Sequence, residues 1–281
     1  MQLVNGYTLM KYAQQHQLVL PAFNTTDYEM TLAIVQAFNK KQLGGYIQIS
    51  SHNLKFSNPQ IIADMTRSVM EREEVQVPIS LHLDHGKSFA DVQACIDAGF
   101  TSIMVDASQL PYEENIKEVR HACEYAHFFG IPVEAELGGI KGKEDDIVSD
   151  VNAKTHPEDV VHFVEATHCD LLAVAVGNVH GLNLAPNLDF DLLHQIAQVS
   201  PVPLVLHGGS GIPFDQVRQA KKAQLLKVNY GSDLRQAYIQ AFGQAYDANH
   251  KEFNLVDVAQ AGVDRVVQTA ENIIHEVNEV S

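Results

Sequence analysis

Short runs of apolar, β-branched residues alternate along this chain with longer stretches whose apolar positions recur every three or four residues. The first pattern is that of strands buried on both faces, and the second that of helices with one buried stripe. Eight runs qualify as strands: residues 19–24, 45–50, 79–85, 102–108, 133–138, 171–177, 202–208 and 225–231. Between them, residues 28–42, 113–129, 157–167 and 213–223 carry the helical spacing. Ser57, Ser88 and Pro213 stand where helices begin, and Gly99 and Gly130 where they end. Eight strands alternating with helices predict an α/β protein with a closed (β/α)8 TIM barrel. No linker divides the sequence, so residues 1–281 read as one barrel domain, with residues 252–281 adding one or two C-terminal helices outside it.

Polar residues collect where the predicted strands end: Asn24, Gln48 with Ser50, Asp84 with His85, Asp106 with Ser108, Glu136, His180 with Gly181, His207 with Gly208, and Asn229. A barrel gathers all of them at its C-terminal rim, which is where this fold builds active sites. His85, His180 and His207 each follow an apolar strand directly or after a short turn. A lone histidine there is usually a satisfied polar side chain. Three on one rim fit a catalytic zinc site with open positions, and they would also accept cobalt, iron or manganese. His82 shares a strand face with Asp84 and is placed to support the site from behind. Asp84 would sit beside the metal, able to exchange a proton with a substrate hydroxyl. Glu144, in the Gly-rich segment 138–144, is a carboxylate that a closing rim loop would bring in. The Gly-containing turns 207–211 and 229–232 follow the last two strands, where barrels frequently hold phosphate with backbone amides.

Composition narrows the partners. Hydrophobic residues at 46% against 19% charged allow a full core. Thirty-five acidic against 19 basic residues give a net charge of −16, which repels nucleic acid and anionic membrane surfaces. A phosphorylated ligand must therefore be held by local devices. Cys95, Cys123 and Cys169 show no metal or disulfide spacing and read as reduced thiols. The longest apolar run, residues 171–176, is too short to span a bilayer and the start lacks a secretory pattern, so the expected location is cytoplasmic.

The motifs PISLHLDHG (78–86), VDAS (105–108), VEAELG (133–138), GNVHG (177–181) and LHGGSG (206–211) resemble those of the class II, metal-dependent ketose-bisphosphate aldolases. That group contains the fructose- and tagatose-1,6-bisphosphate aldolases, and the resemblance runs over residues 18–241. It implies reversible cleavage of a ketose 1,6-bisphosphate to dihydroxyacetone phosphate and glyceraldehyde 3-phosphate. It implies one Zn2+ per subunit on His85, His180 and His207, with Asp106 and Glu136 at an alternative metal position. Asp84 would move the proton of the C4 hydroxyl and Glu144 the proton of bound dihydroxyacetone phosphate. Gly181, Gly208, Gly209, Ser210, Asn229, Tyr230, Gly231 and Ser232 would bind substrate, assisted by Na+ or K+, and the rim residues Asn24, Gln48 and Ser50 join that set. A homodimer or homotetramer is the implied assembly. The chain departs from the family pattern at Lys141-Gly142, at Ser232 in place of threonine, and at Phe253-Asn254-Leu255, where the family commonly has Asp-Pro-Arg with an arginine for the distal phosphate. An aldolase for a ketose 1-phosphate lacking that phosphate, a non-catalytic sugar-phosphate sensor, and a Schiff-base aldolase using Lys227 are the competing expectations.

Overall fold

The computed structural model describes residues 2–144, 147–149, 153–182, 185–251 and 254–279. Eight parallel strands close into a barrel in chain order: β1 (Leu20–Asn24), β2 (Gly45–Ser50), β3 (Ile79–Gly86), β4 (Ser102–Val105), β5 (Val133–Leu137), β6 (Leu171–Val174), β7 (Leu204–Leu206) and β8 (Leu225–Tyr230), with β8 pairing β1. Strand alternation produces two cores. Ile47, Leu81, Leu83, Val133, Ala135, Val174 and Val228 face outward into the layer under the helices. Leu20, Ala22, Tyr46, Leu171, Ala173 and Val205 face the barrel interior.

The interior is closed at its N-terminal end by the helix Gly6–His16, capped by Asn5. Its short stripe of Leu9, Met10 and Ala13 packs on the interior cluster. The Tyr7 hydroxyl donates to Asp170, which also accepts from His127 and from the Val133 amide, so the plug is tied to the start of β5.

Several strands stop short of the expected ends. β4 stops at Val105 because the Asp106 side chain accepts from Ser108 N–H, turning the chain out of the ladder. β6 stops at Val174, and the Asn178 side chain takes the Val176 amide. The expected Gly-rich rim loop instead contains strand Lys141–Glu144, which pairs with Ile147–Ser149 and Val179–His180 in a small sheet over the rim. At the chain's end, helix Leu255–Asn278 packs against Tyr28–Lys41 and Ser232–Ala248, and the Asn278 amide clamps both backbone groups of Val19 at the entry to β1. No helix among the described residues is long and apolar enough to cross a membrane.

Candidate active site

The rim residues come from strand ends and the turns that follow them, and the local backbone explains how they converge. In β3 the pairing with β4 slips between Leu83 and Gly86, and His85 takes a φ of 47°. A bulge of this kind re-aims one side chain, so the neighbours Asp84 and His85 both serve the rim instead of facing opposite ways. The Ser51 hydroxyl donates to the His85 carbonyl and holds the bulge. Asn178 donates to the His207 carbonyl at 3.1 Å, linking the turns that carry His180 and His207.

His85, His180 and His207 each present a ring nitrogen, and these atoms all lie within 4.8 Å of one another. Their ring centroids are 4.7 to 5.9 Å apart, all edge-to-face. A second group, His85, Asp106 and Glu136, meets the same limit, so the alternative metal position shares one histidine with the first. The donor set suits a divalent ion. His207 Nδ1 and Glu136 Oε2 are buried, approach to 3.1 Å, and neither makes an aligned hydrogen bond. Two such atoms facing the cluster fit coordination to a metal.

Each of two histidines is held from behind. His85 Nδ1 lies 2.8 Å from Asp106 Oδ2, and Lys87 Nζ reaches the same oxygen at 2.6 Å. His207 Nε2 lies 2.8 Å from Glu134 Oε1, and Lys227 Nζ is 2.8 Å from Glu134 Oε2. Carboxylate partners of this kind fix a ligand's tautomer and orientation. Burial alone would raise the Asp106 carboxyl, but His85 and Lys87 hold it well below the usual range. Burial likewise opposes a proton on His207, yet Glu134 and the neighbouring Glu136 raise its pKa to about 9.

Asp84 is fully buried and held at both oxygens: Asn24 and Gln48 donate to Oδ2 at 2.8 and 3.1 Å, and Asn229 donates to Oδ1 at 3.1 Å. Three of the expected substrate-binding side chains thus position a carboxylate, while Gln48 Oε1 and Asn229 Oδ1 stay buried without a hydrogen bond. Ser50 caps the short helix Ser51–Leu54. Ser210 is buried and accepts from Asp233 N–H, which joins the turn after β7 to the first turn of helix Ser232–Ala248. Gly209 donates its N–H to the Asn229 carbonyl. Gly181 sits directly after His180, and Gly231 precedes Ser232 at the start of that helix.

Tyr230 and Glu144 stand apart from the other rim residues. The Tyr230 ring points away from the rim into the outer core beside Phe23, because Asn229 before it points inward, so only its backbone remains at the site. Glu144 ends a strand, but its side chain, like Asp145, Asp146 and Phe253, lies outside the described residues. Sequence reading missed Lys87, Glu134, Asn178 and Ser102. The two-residue period of VEAEL was the available signal for Glu134, since it puts Glu134 and Glu136 on the same face.

The chain matches the family described as Fructose-bisphosphate aldolase class-II over residues 4–280. It is 36% identical over 243 residues to the fructose-bisphosphate aldolase of Geobacillus stearothermophilus, covering 86% of this chain and 85% of that one. It is 35% identical to the fructose-bisphosphate aldolase of Treponema pallidum, covering 90% and 89%. The crystal structure of the YdjI aldolase from Escherichia coli K12 superposes with a TM-score of 0.84 at 27% identity over the full length of both chains. Barrel, rim chemistry and these likenesses agree, and the chain belongs to the class-II fructose-bisphosphate aldolase family of aldehyde-lyases.

Proposed function

We propose that this chain is a zinc-dependent aldolase that reversibly cleaves a ketose 1,6-bisphosphate, of the fructose or tagatose configuration, to dihydroxyacetone phosphate and glyceraldehyde 3-phosphate. The observation that carries the reading is the convergence of His85, His180 and His207 beside a buried Asp84 whose two oxygens are held by three amides. The three histidines would hold the ion, with Asp106 and Glu136 within reach of a second position. When bound, zinc supplies a Lewis acid that polarises the ketone and offsets the negative charge developed as the C3–C4 bond breaks.

The remaining steps fall to the chain's own residues. In cleavage Asp84 takes the proton from the C4 hydroxyl, and in condensation it returns it. Asn24, Gln48 and Asn229 keep that carboxylate from rotating away. Glu144 moves the proton at the dihydroxyacetone phosphate carbon, removing it for condensation and restoring it after cleavage. Gly181, the Gly208–Gly209–Ser210 turn and the Asn229-to-Ser232 turn at the N-terminus of helix Ser232–Ala248 form the phosphate cradle, with Na+ or K+ assisting. A helix N-terminus favours an anion, which matters in a chain carrying −16 overall. A homodimer or homotetramer in the cytoplasm, built from one barrel domain per chain, completes the reading.

A second substrate class has an observation behind it: Phe253-Asn254-Leu255 stands where the family commonly has an arginine for the distal phosphate, which favours a ketose 1-phosphate. An imine mechanism has none, since Lys227 Nζ is buried below the cluster and ion-paired to Glu134. The test is release of dihydroxyacetone phosphate from fructose and tagatose 1,6-bisphosphates and from their 1-phosphates, with zinc and after chelation. Chelator-sensitive release is expected. Release that survives chelation and is trapped by borohydride would overturn the metal mechanism, and binding without turnover of all four would make the protein a sensor.

A further inference from the structure

Directly beneath the rim the barrel interior holds Lys227, Glu134 and His82, which the proposed chemistry does not use, packed under the candidate ligand His207. Lys227, Glu134, His82 and His207 are all fully buried. Lys227 Nζ contacts Glu134 Oε2 at 2.8 Å and approaches His82 Nε2 at 3.5 Å, over the Tyr46 ring. His82 Nδ1 is closed off by the Ser102 hydroxyl at 2.8 Å. Burying an ion pair is costly and seldom stabilises a fold relative to apolar side chains of similar volume, so its retention inside a barrel asks for a reason.

The geometry supplies one. Glu134 divides its two oxygens, with Oε2 on Lys227 and Oε1 on His207 Nε2. A carboxylate only accepts, so Nε2 facing Glu134 must be a donor, which leaves Nδ1, 3.1 Å from Glu136 Oε2, as the nitrogen that gives up its proton when an ion is bound. His85 repeats the arrangement at the rim with Asp106 and Lys87. There the lysine side chain is 39% exposed, whereas Lys227 is sealed inside and meets neither rim nor solvent.

We propose that Lys227 is a positioning residue for the metal centre: by fixing Glu134 and supplying its countercharge, it locks His207 with Nε2 as donor and Nδ1 presented to the ion. Metal retention thereby depends on a lysine that touches neither metal nor substrate. The inference rests on the reading that His85, His180 and His207 hold a divalent cation.

The test uses the full chain with Co2+ as the probe. Affinity is measured by competition with a chelator, coordination by the visible absorption of bound cobalt, and folding by the thermal midpoint of the metal-free protein. Two variants are compared with the unsubstituted protein: Lys227→Met, and the double variant Lys227→Met/Glu134→Gln, which removes both buried charges together. Lys227→Met is expected to bind Co2+ about 10- to 100-fold more weakly with a shifted spectrum, the range typical of losing a ligand's outer partner. The double variant should regain the thermal midpoint while its cobalt affinity stays about tenfold low, because an amide is a weaker acceptor than a carboxylate for His207. Unchanged affinity and spectrum in either variant would overturn the inference. Full recovery of affinity in the double variant would also overturn it, since Lys227 would then only balance a buried charge. Failure of the unsubstituted protein to bind cobalt would overturn the metal centre and this inference with it.

Discussion

Among the described residues His85 is one of seven non-glycine residues with positive φ, and of those seven it is the one that carries a site side chain. A left-handed backbone at a residue with a Cβ is uncommon and persists where its surroundings over-determine it. Here the slip in the β3–β4 pairing and the Ser51 bond to the His85 carbonyl do so. The consequence is that the residues proposed for proton transfer and for metal binding are neighbours in the chain. Asp84→Asn separates the two roles: the amide keeps the shape but cannot take a proton. Zinc content is expected to stay at one per chain while kcat falls about 10²- to 10⁴-fold, the usual worth of general acid–base catalysis. A kcat within tenfold of the unsubstituted protein would remove Asp84 from the chemistry. Asp84 and the three histidines were legible because each ends an apolar run. Ser102 was not, because a polar residue in mid-strand looks alike in sequence whether it faces solvent, a helix or a barrel interior; Glu134 had only its two-residue period with Glu136, and Lys227 stood out only as an imine candidate. The parity of Tyr230 with Asn229 places its ring on the outer face, so its part in the 229–232 turn is its backbone.

Among the elements, the loops bearing His180 and His207 must nearly touch, and two glycines make that possible. A Cβ on Gly208 would lie 1.9 Å from the Val179 carbonyl oxygen, and its φ of 68° already disfavours other residues. A Cβ on Gly142 would lie 2.3 Å from the His180 carbonyl oxygen, which explains how strand Lys141–Glu144 can pair with Val179–His180. Gly208→Ala is therefore expected to push the two histidine turns apart. It should weaken zinc binding at least tenfold, the scale of losing a support to a ligand, while the far-UV circular dichroism of the barrel persists. Unchanged zinc affinity would mean that the turns adapt without moving the rings. The barrel strands were readable to within a few residues, since buried parallel strands are continuous apolar runs. Their C-terminal ends were not, because Asp106 and Asn178 satisfy backbone amides with their side chains and end the ladder early. The small rim sheet was illegible for a plainer reason: Lys-Gly-Lys-Glu has no strand propensity, and its partner Val179–His180 lies far along the chain.

On the scale of the whole molecule, the barrel is closed below by helix Gly6–His16 and clasped at the entry to β1 by Asn278, so the rim sits on a scaffold held from both chain ends. The net charge of −16 sets the field in which the rim works. It draws a divalent cation in and opposes a phosphorylated sugar, so the ion and the helix N-terminus must offset locally what the molecule as a whole resists. On the proposed metal centre, binding to the folded state alone would also make the ion part of the stability. At a free zinc concentration 100 times Kd the gain is about 2.7 kcal/mol. For a chain of this size each kcal/mol moves Tm by roughly 2 °C, so saturation should raise Tm by about 5 °C and chelation should reverse it. His207→Ala, which removes one donor of the cluster, should abolish most of that rise while leaving the chelated Tm nearly where its own lost contacts put it. A chelated protein that melts with the zinc-loaded one would show that the histidine cluster does not bind the ion in the folded state.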